Sequence, residues 1–439
     1  MRIWPSESNL ARAAAALGLA SLGLLEACAA NEPAADSSHG GVNSAGASPA
    51  SGGVPSGGTG VALTGGLAAV AGTNTGGSDG GEPTASGGVV GSGGGGGSSS
   101  GASGGGAPTG GGSVNLPDVG SEGDGDSMVG PTYVSEKELT DQGNPKGRTF
   151  SFTMQLADSK FFDGKDPTLT KAANTTRAIT VYVPAKYQDG TPAPVLVIQD
   201  GAGPITQVSR ALDNLTIEAD ATRKLPAFIA VAVQNGGNDS IGSERGLEYD
   251  TLSDKYAQFI DEEVLPAVIS DAKVKAAYPG LKFTADPSGR ATFGCSSGAA
   301  AAFSMAWFRP DLFSRVIAYS ATLVVQQNPA SAEAAIYPDG AWDYHSLKEL
   351  IKNDTEGREK KLRIFINANE DDLGSTAAES GKHNWVMANQ RTAAALKNKG
   401  YHYKYITGLG QGHCAGSVQS ATLADVLIWA WRGYQPSGK

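Results

Sequence analysis

From residue 148 onward, short apolar runs recur along the chain, most of them ended by glycines, carboxylates or other turn-forming residues. Residues 148–154 and 177–183 alternate apolar and polar side chains, which predicts strands with one buried face, paired antiparallel at a sheet edge. Residues 194–199, carrying Val195-Leu196-Val197-Ile198, and 227–233 are continuous apolar runs, the form taken by parallel strands buried on both faces. Further short strands are predicted at 291–293, 316–319, 362–367 and 403–407. Helical patterns alternate with them at 253–268, 299–308, 345–353, 385–397 and 421–431. In the first of these, Tyr256, Phe259, Ile260, Val264 and Val268 share one face and Ser253 is placed to cap. Alternation of this kind predicts an α/β fold, a mostly parallel sheet with helices on both faces.

Composition changes the picture before residue 128. Most of the 61 glycines in the 439 residues lie there. Arg2 and Arg12 precede or open an apolar stretch, 13–25, that is too short to span a membrane and suits a signal-peptide core. It ends in Leu25-Glu26-Ala27-Cys28, which resembles a bacterial lipobox, although Glu26 departs from that pattern. Ala27-Cys28-Ala29 also fits an ordinary cleavage site. The expectation is a lipoprotein-type signal peptide over 1–27, lipidation at Cys28, a disordered Gly/Ser-rich linker over 28–127 and a catalytic domain over 128–439. These segments together imply an outer-membrane or cell-surface lipoprotein, with plain secretion as the alternative. The net charge of -10 is spread out and forms no basic stripe, which argues against a nucleic-acid partner.

The candidate chemistry sits just after predicted strands, where open parallel sheets place their sites. Gly294-Cys295-Ser296-Ser297-Gly298 is a G-x-S-x-G between a strand and a small-residue helix, the setting of a nucleophile elbow. Glu370-Asp371-Asp372 comes after the strand at 362–367, and His413 comes after the last strand in a glycine-rich loop. The order serine, acid, histidine is that of the α/β-hydrolase fold. Serine needs a base to become nucleophilic, and the base needs a carboxylate to orient it. Ser296, Asp372 and His413 are the expected triad, with Asp371 and Glu370 as rival acids. The backbone N–H of Ser297 and that of Gly201 or Ala202, after 194–199, are the expected oxyanion donors. Of the cysteines, Cys295 precedes the serine and Cys414 follows the histidine. Hydrogen bonding of Ser296 to His413 would hold these neighbours within disulfide range, and an exported protein meets an oxidising environment. A Cys295–Cys414 bridge is expected, against two buried free thiols. Trp307, Trp342 and Trp385 read as core. No metal-ligand spacing appears, and the reaction needs no cofactor.

These residues also resemble a known family. Residues 243–250 (Ser-Glu-Arg-Gly-Leu-Glu-Tyr-Asp), Asp286-Pro287 with Arg290-Ala291, the elbow, Ala306-Trp307-Phe308-Arg309-Pro310 with Phe313, and Gly412-His413 together resemble the enterochelin-esterase/esterase D-like branch of the α/β hydrolases. That resemblance implies a serine carboxylic-ester hydrolase working through an acyl-enzyme. Its substrate would be a small-molecule or carbohydrate ester, such as a feruloyl or acetyl sugar ester or a siderophore ester. An acyltransferase with the same triad, or a non-catalytic glycan- or siderophore-binding module, is the alternative. The Cys-Ser and His-Cys neighbours are similar to those of tannase and fungal feruloyl esterases, where such cysteines pair. Arg245 and Glu248 should face the rim of the site and are the candidates for substrate binding, with a loop-shaping salt bridge as the other reading of Arg245.

Overall fold

The computed structural model describes residues 122–346, 349–354 and 360–436. The expected signal peptide, Cys28 and the expected linker up to 121 lie outside these residues. Among the described residues eleven strands occur in chain order. They are β1 (Gly125–Val129), β2 (Arg148–Gln155), β3 (Thr176–Val183), β4 (Pro192–Ala193), β5 (Val195–Gln199), β6 (Ile229–Val233), β7 (Lys282–Phe283), β8 (Arg290–Cys295), β9 (Arg315–Tyr319), β10 (Arg363–Asn369) and β11 (His402–Gly408). Nine form one sheet in the order β1-β11-β10-β9-β8-β5-β6-β3-β2, and β4 pairs with β7. Every neighbour from β1 across to β6 is parallel, while β3 is antiparallel to β6 and β2.

The continuous apolar runs are buried on both faces, as their composition requires. Val195 and Val197 enter one core cluster, and Leu196 and Ile198 the other. Helices Ser297–Phe308 and Trp385–Lys399 cover the first face, and helices Ile205–Leu215 and Leu423–Trp431 the second. Alternation thus becomes a three-layer α/β-hydrolase fold.

Three local differences have physical causes. The predicted helix at 253–268 runs to Ser270 but contains a π turn, Ile260–Val264, just before Pro266, which has no N–H to close an α turn. The predicted helix at 345–353 forms only at Leu350–Asn353; before it, a 3-10 turn at Gly340–Tyr344 buries Trp342 and Tyr344. The sheet also begins before the expected boundary at 128. β1 is clamped by Asp124, whose carboxylate accepts from Trp429 Nε1 at 2.9 Å and meets His402 Nδ1 at 2.8 Å.

Candidate active site

β8 runs into the helix Ser297–Phe308 through a turn that only small residues allow. Ser296 at the tip has φ 58° and ψ -131°, a backbone conformation rare for a side-chain-bearing residue. A Cβ on Gly294 would fall 2.2 Å from the Gly298 backbone, and one on Gly298 would fall 2.7 Å from Asp200 Oδ2. The two glycines of the motif are therefore steric requirements. The strained residue is pinned from both sides: its N–H donates to Tyr319 O at 3.1 Å, and its carbonyl accepts from Thr322 N at 3.1 Å. Ser296 Oγ lies 3.4 Å from Thr322 Oγ1, which accepts from Trp385 Nε1 at 3.2 Å. Ser297 is the first residue of the helix, so its N–H has no partner in the preceding turn.

Past β10, the three rival acids separate. Glu370 accepts from Gly410 N at 2.9 Å and is exposed, as is Asp371. Asp372 is 2% exposed, and its Oδ1 meets His413 Nδ1 at 2.6 Å. Burial pushes the Asp372 pKa up. His413, the Ser320 hydroxyl and the Leu373 N–H pull it down and prevail, leaving it below the ordinary carboxylate value. Ser320 also accepts from Cys414 N at 3.0 Å, so one hydroxyl ties the acid to the histidine loop. Neither Ser320 nor Thr322 was expected from the sequence, although both come directly after a strand. The other described histidines bond elsewhere: His345 Nε2 to Leu323 O, His383 Nδ1 to Gly381 O, and His402 to Asp124.

Cys295 and Cys414 form a disulfide with Cα atoms 6.1 Å apart. Ser296 and His413 are thereby each one peptide bond from the same crosslink. Trp385 is buried, as expected of a core residue, but its ring also stands edge-on to His413 with centroids 6.1 Å apart.

The loop after β5 corrects one expectation. Asp200 and Gly201 take φ 63° and 84°. The Gly201 N–H donates to Val233 O at 3.0 Å and is used in that bond, so it is not an oxyanion donor. Among the described residues the Ala202 N–H makes no backbone hydrogen bond, and the residue is exposed. Arg245 and Glu248 correct another. Arg245 grips Asp200 at both oxygens, at 2.8 and 3.0 Å, and Asp239 at 2.5 Å. Three of its five N–H donors are therefore spent on holding the loop, the salt-bridge reading. Glu248 is 2% exposed; its carboxylate takes the Arg177 guanidinium and the Gly236 N–H, leaving nothing for a substrate. A further buried carboxyl, Asp250, lies under the elbow. Burial raises its pKa to about 7, against the opposing pull of the Ser297 hydroxyl, Arg245 and Gln326.

Known proteins are similar to this chain. The Esterase family model, described as "Putative esterase", matches residues 170–413. Among solved structures, a ferulic acid esterase is similar at 20% identity, over 65% of this chain and 98% of its own, with a TM-score of 0.45. Enterochelin esterase from Shigella flexneri is similar at 20% identity, over 59% of this chain and 55% of its own, with a TM-score of 0.39. A CE1 ferulic acid esterase from Anaeromyces mucronatus, in complex with ferulic acid, is similar at 14% identity, over 68% and 96%, with a TM-score of 0.44. No curated protein matches the sequence. The family model spans more than half of the chain and includes the elbow, the acids and the histidine, and on that ground the chain belongs to the Esterase family: it is a carboxylic-ester hydrolase with an α/β-hydrolase fold.

Proposed function

We propose that Ser296 is the nucleophile of a serine esterase, with His413 as its base and Asp372 as the group that orients the base. The observation that carries this reading is the 2.6 Å bond from His413 Nδ1 to the buried Asp372 carboxylate, one residue from the disulfide to the serine's own neighbour. With Nδ1–H given to Asp372, Nε2 is left unprotonated and takes the Ser296 proton as Oγ attacks the ester carbonyl. The oxyanion then accepts from the Ser297 and Ala202 N–H groups. The alcohol leaves with the proton held at Nε2, and a water deprotonated by His413 hydrolyses the acyl-enzyme.

Two apolar side chains adjoin the base and the acid. Trp385 stands against its ring, and Leu373, directly after Asp372, is 46% exposed. Apolar neighbours suit an aromatic or short acyl group, and with the resemblance of the motifs the reading extends to feruloyl or acetyl sugar esters and catecholate-siderophore esters. An exported protein anchored by lipid at Cys28 completes it, supported by the apolar stretch and lipobox-like residues that precede Cys28. Replacement Ser296→Ala tests the core of the proposal. Hydrolysis of p-nitrophenyl acetate and labelling by a fluorophosphonate should both be lost, and full activity in the purified variant refutes the assignment. A panel of feruloyl, acetyl-xylan and siderophore esters then ranks the acyl groups.

A further inference from the structure

Three adjacent parallel strands open with a basic residue: Arg315 on β9, Arg363 on β10 and His402 on β11. The register pairs Arg363 with both of the others. Paired residues of a parallel sheet project on the same face, about 4.8 Å apart, so the three form a row of bases. The row lies at the amino ends of the strands, opposite the end that carries Asp372 and Ser296.

Two of the three have counter-ions. Arg363 Nη2 meets Glu122 at 2.5 Å, and His402 Nδ1 meets Asp124 at 2.8 Å. Arg315 makes no ion pair among the described residues. Its Nε donates to Ser288 O, and its Nη1 to the carbonyls of Ala430 and Arg432. Its Nη2 makes no hydrogen bond among the described residues. The residue is 5% exposed and its guanidinium lies over Trp431 and Tyr434, at 5.5 and 5.9 Å from the ring centroids. A buried cation without a counter-charge is unfavourable. Burial and the neighbouring charge of Arg363 lower the Arg315 pKa to about 10, despite Asp286 nearby.

A cavity of about 910 Å³ opens onto this row; Arg315, Arg363, Arg432 and Lys361 line it, and so do the carboxylates Glu122, Asp286 and Asp311, of which Glu122 is paired with Arg363 and Asp311 with Arg309. Arg363 adds positive charge beside it, although its own Nη1 is buried toward Asp124 Oδ1 at 3.6 Å and its Nη2 is paired with Glu122. A guanidinium N–H donates a charge-assisted hydrogen bond to an oxyanion, and Nη2 is the nitrogen Arg315 has left to offer. We propose that this cavity is a binding site for a small phosphate-bearing anion, with Arg315 as its central donor and Arg363, Arg432 and Lys361 around it. The ligand supplies the counter-charge that Arg315 lacks. The site is remote from the elbow, so its test is independent of the catalytic assignment.

Full-length protein is titrated with inorganic phosphate and with glycerol phosphate at constant ionic strength, by calorimetry and by thermal shift. Saturable binding is expected with both probes. Arg315→Gln should weaken it roughly tenfold or more, as expected for loss of a charge-assisted hydrogen bond. Because Arg315 also ties the chain near Ala430, Lys361→Glu serves as the second variant; Lys361 is exposed at the rim. It should weaken phosphate binding and leave p-nitrophenyl acetate hydrolysis unchanged. Co-sedimentation with phosphatidic-acid vesicles, lost in Lys361→Glu, identifies the anion as a lipid headgroup. Phosphate binding without co-sedimentation identifies a free phosphate ester. A response no greater than that to sodium chloride, or equal binding by both variants and the wild type, overturns the proposal.

Discussion

Removing the crosslink between the serine and histidine segments tests how much of the site's geometry it carries. The double replacement Cys295→Ala, Cys414→Ala opens a loop with a sequence separation of 119 residues. Chain-entropy reasoning assigns such a loop about 5 kcal/mol at 25 °C, and measured losses run roughly 2 to 5. Against a total stability of about 5 to 15 kcal/mol, that is a large share. Alanine keeps a Cβ at Cys414, where φ is 52°, so the change adds no backbone penalty of its own. Catalysis should suffer separately. The Asp372 and Ser320 bonds still hold the histidine loop to β10 and β9, but the tie to β8 is gone. A shift of about 1 Å between nucleophile and base is enough to cost roughly a hundredfold. The assay is urea unfolding of variant and wild type, with kcat and KM measured well below the unfolding midpoint. The expected result is a lowered midpoint with a slope somewhat steeper than wild type's, because the uncrosslinked unfolded chain exposes more surface, and a fall in kcat that exceeds any rise in KM. A variant within about 1 kcal/mol of wild type and with the same kcat refutes the clamp.

The buried carboxyls carry two further predictions. Asp372→Asn should fold normally and lower kcat roughly a thousandfold or more, because the amide cannot hold the tautomer that leaves Nε2 free; circular dichroism and steady-state kinetics check both halves, and a loss under about tenfold rules against the pairing. Asp250 has its pKa raised by burial from 3.8 to about 7, so the folded state holds a proton there that the unfolded state has released. That contribution to stability is present below about 4 and is lost as pH rises through 7. Asp250→Asn cannot ionise, so its stability relative to wild type should improve by a few kcal/mol between pH 5 and pH 8; denaturation profiles that stay parallel for the two proteins would show that the carboxyl is not buried in its neutral form.

The features legible in the sequence and those hidden from it divide along one physical line. Ser296, Asp372 and His413 each lie just past an apolar run, and a strand end is a local feature of the chain. The disulfide was legible for the same reason, since each cysteine adjoins a residue already placed. The misses are pairings made across the fold. Glu248 reads as a rim residue until Arg177, 71 positions earlier on β3, takes its carboxylate. Gly201 reads as an oxyanion donor until the carbonyl of Val233 on β6 takes its N–H. No local pattern announces either partner. Ser320 and Thr322 are a different kind of miss. They lie just past Tyr319 at the end of β9, the strand between the serine's β8 and the acid's β10. The rule that identified the other residues, to inspect the positions at the carboxyl end of each buried strand, applies to β9 equally. Ser320, whose hydroxyl ties Asp372 to the histidine loop, and Thr322, whose hydroxyl meets Ser296, carry that same positional signal. The end of this sheet that carries the proposed site is built from β5, β8, β9, β10 and β11, neighbours in the sheet, and the loop directly after β9 supplies the hydroxyls that meet Asp372, the Cys414 N–H and Ser296 Oγ.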